Sequence, residues 1–99
     1  MTEIVKTLLL PPHDVIIVFE SVNVLKRCFL GIYAIDLIPS DVNYIDISLG
    51  DISFTHCFTL SPYWKCFESN GKNIFQGNIL VRNTSTNRAH KIGAIEILE

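Results

Sequence analysis

Positive charge is missing from the middle of this chain. From Cys28 to Trp64 run 37 residues without a lysine or an arginine, and the net charge over all 99 residues is −2. A dedicated nucleic-acid binder carries a basic patch or stripe, so this balance argues against one. Long apolar runs are missing too. No stretch approaches the roughly 20 apolar residues that a membrane helix needs. The run Leu8 to Leu10 is too short for the core of a secretory signal, and Glu3 spoils its basic flank. The expectation is a cytoplasmic protein that engages neither nucleic acid nor membrane.

Cysteine is scarce. Cys28, Cys57 and Cys66 are odd in number and show no CxxC spacing, a poor basis for a disulfide framework or a zinc site. Three reduced, mostly buried thiols are expected. Glycine never clusters: Gly31, Gly50, Gly71, Gly77 and Gly93 stand alone, so no phosphate-cradling loop is present. No GxSxG elbow occurs, and no HxH or HxxxH pair. Neither a cofactor nor a metal is expected. Asn83-Thr84-Ser85 matches the glycosylation sequon but reads as a turn in a chain without a secretory signal.

What the chain has is apolar residues in alternation. It is 48% hydrophobic and 18% charged, which excludes disorder and leaves room for an apolar contact surface. The clearest stretch is Tyr44 to Leu60. Ile45, Ile47 and Leu49 alternate with Asp46 and Ser48. Beyond Gly50-Asp51, Ile52, Phe54, Phe58 and Leu60 share a face with His56. Period two is the mark of a strand with one buried side. Further strands are expected at Glu3 to Leu10, closed by Pro11-Pro12, and at Asp14 to Glu20, a run suited to burial on both faces. Others are expected at Gly31 to Ile38, as a central strand, at Tyr63 to Phe67, at Ile74 to Val81 and at His90 to Leu98. Ser21 to Leu30 fits either a short helix capped by Ser21 or, as favoured here, a turn. Asn70-Gly71 signals a hairpin, and 83–88 reads as a second hairpin loop. The fold expected is all-β or β-dominated: one domain over residues 1–99, an antiparallel sandwich or barrel of about eight strands.

Candidate sites follow from charge and aromatic content. The lysine-free window holds four acids, Asp36, Asp41, Asp46 and Asp51, which are either turn and outer-face residues or an acidic surface for a basic partner. Their five-residue spacing is too sparse for a calcium loop. Tyr63 and Trp64 are of the types that anchor interfaces. On period two, Tyr63, Lys65 and Phe67 share one face and Trp64 and Cys66 the other. Lys65 marks its own face as the solvent side, unless its stem snorkels past a covered one. His56 on an apolar face reads as a core or rim residue, and His13 and His90 are expected to be solvated. His56 and Cys57 are neighbours on a strand, so they face opposite ways and form no dyad.

The functional expectation is a non-enzymatic protein that neutralises a protein partner, such as a basic nuclease-like toxin, in the manner of small immunity proteins. Its contact residues would be Asp36, Asp41, Asp46, Asp51, Tyr63 and Trp64. An alternative is an assembly subunit that self-associates through a β-edge or apolar face. A third is a small enzyme using His56 with an aspartate.

Overall fold

The computed structural model describes residues 1–36, 44–60, 64–68 and 76–99. Eight strands run in chain order: β1 Thr2–Leu10, β2 Val15–Phe19, β3 Arg27–Ala34, β4 Ile45–Leu49, β5 Phe58–Thr59, β6 Trp64–Glu68, β7 Ile79–Asn83 and β8 His90–Leu98. They form two four-stranded antiparallel sheets, ordered β1-β8-β3-β6 and β2-β7-β4-β5. That pair of orders defines an eight-stranded jelly roll. Of the connections, only β4 to β5 stays within one sheet; every other one crosses to the opposite sheet.

The crossing overturns two expectations. β6 and β7 lie in different sheets, and so do β7 and β8. Neither β6 and β7 nor β7 and β8 are therefore the two arms of a hairpin. Asn70-Gly71 itself lies outside the described residues, as do 37–38, the end of the expected 31–38 strand, and 74–75, the start of the expected 74–81 strand. No helix forms between 21 and 30; the chain bends through 23–25 and enters β3 at Arg27.

The core lies between the sheets. Leu10, Leu30, Ile32, Ile45, Ile47, Leu60, Ile79, Val81, Ile92 and Ala94 are fully buried there, with Val18 and Phe19 beside them. Each large aliphatic side chain so buried contributes about 1.5–3 kcal/mol. β2 is an edge strand with one wet face: Val18 is buried, but Val15 and Ile17 are exposed, so the expected burial on both faces fails. At one end of the sandwich the buried Arg27 guanidinium reaches Glu96 (Nε to Oε2, 3.4 Å) and donates to the carbonyls of Gly77 and Glu20. Removing either partner of such a pair would strand a buried charge. At the other end His90 is fully buried, against the expectation that it is solvated. Before β2 the chain turns through Pro12-His13, with Asp14 N–H donating to Pro11 C=O and His13 exposed at φ 61°. Proline then a positive φ is the order of a type II turn.

The strand expected over 52–60 is mostly absent. After Gly50 (φ 95°) the chain loops, and only Phe58 and Thr59 pair with β4. The cause is Asp51. Its carboxylate accepts the backbone N–H groups of Ser53, Thr55 and His56 and the Ser53 hydroxyl. An aspartate that captures nearby backbone donors offers the chain an alternative to a ladder. His56 consequently stands exposed in a loop, not on the apolar face of a strand.

Candidate interaction face

The outer surfaces of the two sheets differ. On the second sheet, Asp46 pairs with Arg82 (2.8 Å) across β4 and β7. The Arg82 guanidinium lies 4.4 Å from the centre of the Phe54 ring. Phe54 is buried at φ 56°, a left-handed conformation rare for a bulky residue, and it holds the 50–57 loop against this face. The loop thus packs on the outer face of the second sheet at Arg82, while Val15 and Ile17 of β2 stay exposed.

No described segment covers the first sheet in this way. Register sets its outer residues in rows across the strands. The first row is Glu3, Ile97, Phe29 and Glu68. The second is Val5, Ile95, Gly31 and Cys66. The third is Thr7, Gly93, Tyr33 and Trp64. Leu9 and Lys91 form the fourth, continued by Ile35, whose N–H donates to the Lys91 carbonyl. Val5 is 57% exposed, Leu9 60%, Tyr33 38% and Trp64 57%, while Phe29, Ile95 and Ile97 are half-buried. A Cβ at Gly93 would overlap the Tyr33 ring, and one at Gly31 would lie 3.0 Å from Ile95 Cγ2 and 3.2 Å from Phe29 Cε1. Both glycines let neighbouring side chains lie down on the backbone, which flattens the middle rows.

Three charged side chains of this sheet sit on its inward-facing side. β1 turns Lys6 inward, where Nζ donates to Val18 C=O (2.9 Å) and sits 5.1 Å from the Phe19 ring centre. β8 turns Glu96 inward to Arg27. β6 turns Lys65 inward, with Nζ 5.5 Å from the Phe58 ring centre and 5.8 Å from that of Phe67. Those two rings meet edge to face at 4.9 Å between the sheets. The Lys65 side is therefore the covered one, reached by a snorkelling stem, and Trp64 and Cys66 take the solvent side. Inward lysines on the edge strands β1 and β6 are also a known guard against edge-to-edge pairing.

The sequence-predicted acids do not converge on one described surface. Asp36 accepts the N–H of Lys91 (2.8 Å) just beyond the end of β3. Asp46 is paired with Arg82, and Asp51 organises its loop beyond the far end of β4. The Ser53 hydroxyl, then the backbone donors, hold the Asp51 carboxyl below its ordinary 3.8. Asp41 and Tyr63 lie outside the described residues. His56 donates its own N–H to Asp51, whose oxygens are already engaged by Ser53 and Thr55. All three cysteines are free, as expected, but Cys57 and Cys66 are exposed, not buried. Partial desolvation and then the Glu68 charge push the Cys66 thiol up, disfavouring the thiolate. Among the described residues no cluster of His, Cys, Asp and Glu could hold a metal, and no helix is long and apolar enough to cross a membrane.

Compared with known families, curated proteins and solved structures, the chain has no significant match.

Proposed function

We propose that this protein is a non-enzymatic interaction module whose contact surface is the outer face of the first sheet. One observation carries the reading: the sheet holds Lys6, Lys65 and Glu96 inward and sends Val5, Leu9, Tyr33 and Trp64 outward. The exposed apolar area on this face is on the order of 500 Å². Patches of that size on a monomer are often functional. Trp and Tyr are also the types on which binding energy concentrates.

Both an inhibitor that covers a partner and an assembly subunit need such a face. Steering of a basic toxin by the aspartates draws less support, because Asp46 and Asp51 are engaged within the chain. A broad, flat apolar face favours assembly. Jelly rolls do serve as capsid building blocks, though also as lectins and cupins, so this is an analogy of fold alone. Three free thiols suit a reducing compartment, and the cytoplasm is the location we propose.

The test is site-specific photo-crosslinking in the native host. A photoreactive residue in place of Trp64 should capture a protein, and one in place of Val15, exposed on the opposite sheet, should not. Capture from Val15 alone, or from neither position, overturns the reading.

A further inference from the structure

We infer that the partner of this face is a second copy of the chain, stacked antiparallel on it. The inference rests on the interaction reading above and deepens it. Sheets pack face to face about 10 Å apart, with their strands roughly aligned. The flat middle rows over Gly31 and Gly93 suit such a stack. The area suits it too: the apolar patch together with its polar rim approaches the ~800 Å² that a standard interface takes from each partner.

The charges choose between the two possible symmetries. A two-fold axis along the strands would lay each row on its own copy. Glu3 would then face Glu68 of the second copy, twice over, and like charges in contact are strongly disfavoured. An axis across the strands lays the first row on the fourth and the second on the third. Lys91 of the second copy then lies over Ile97, beside Glu3, and Trp64 lies over Cys66. Glu3 and Lys91 are both exposed, and neither has an ion-pair partner among the described residues. Glu3 of one face therefore meets Lys91 of the other, with Asp36 beyond the fourth row and the apolar rows enclosed between them. Such an interface is isologous and closed, so it yields a dimer and not a fibre.

Sedimentation velocity on the purified chain tests this over roughly 1–100 µM, where a modest interface dissociates. The wild type should sediment as a dimer in the upper part of that range. Glu3→Lys and Lys91→Glu should each weaken the dimer by about tenfold or more, since each change counts twice, and the double charge swap should recover most of the loss. Both positions are exposed, and circular dichroism should show each variant folded. A wild type that stays monomeric throughout overturns the proposal. If Trp64 still captures a different protein in the host, the interaction reading survives that failure; if it captures nothing, both fall. A dimer indifferent to the single reversals, or not rescued by the double swap, overturns the antiparallel stack.

Discussion

Three backbone groups at one end of the sandwich converge on a single amide. Asn83 Nδ2 donates to the carbonyls of Leu10 (3.0 Å) and Arg88 (2.8 Å), and Oδ1 accepts the N–H of Ser85 (2.9 Å). The residue is fully buried, so the sequon it heads is closed to modification in the folded chain. Asn83→Ala would leave those groups without their partner and should lower stability by about 3 kcal/mol, read from a urea midpoint. A change within about 0.5 kcal/mol would mean that the groups find other partners. His90, facing Leu10 across β1 and β8, is the opposite case. It is fully buried, and neither ring nitrogen has a hydrogen-bond partner among the described residues. His90→Leu removes both unmet nitrogens and should raise stability by about 1 kcal/mol or more. A loss of stability would show that the imidazole is held by an interaction that leucine cannot replace.

At the scale of elements, alternation and breaking residues placed several strands well. β1, β4 and β8 stand close to where the sequence puts them. Alternation failed where one polar side chain outbid the ladder. Nothing in Ile52 to Leu60 distinguishes a strand from a loop except Asp51, whose hold on three N–H groups is visible only once the loop has formed. That hold makes a testable pH dependence. The folded carboxyl ionises at lower pH than the unfolded one, so its stabilisation is complete above the unfolded value and is lost as pH falls through the folded value. The amide resonances of Ser53, Thr55 and His56 should hold steady near neutrality and move together below about pH 4. In Asp51→Asn that acid transition should disappear. Resonances of the unchanged protein that stay put down to about pH 2 would contradict the assignment. The inward charges of the first sheet were illegible for a related reason. Lys65 marks its own face as the outward one by polarity, whereas the groups that hold Lys65, Lys6 and Glu96 inward (Phe58, Val18 C=O and Arg27) belong to other strands. The reversed parity of β6 is what puts Trp64 and Cys66 on the candidate face.

At the scale of the molecule, the all-β class and the strand count were legible, because both follow from alternation and turn residues. The jelly-roll order was not, since it depends on which sheet each connection enters. The fit of the interaction face to a partner likewise depends on rows assembled from four strands far apart in the chain. The order of the first sheet also constrains how the protein comes off the ribosome. β8 sits between β1 and β3 and pairs with β1 along its whole length, from Thr2 opposite Leu98 to Leu10 opposite His90. β1 thus waits for β8, made about 80 residues later. A nascent chain stalled before His90 has β3 and β6 but lacks the strand that joins β1 to β3, so β1 has no partner in this sheet. Emergence of residues 90–98 from the exit tunnel should therefore bring a single late gain of protease resistance, detectable on stalled nascent chains of increasing length. Resistance already acquired by chains ending near Asn83 would mean that the second sheet folds without its partner.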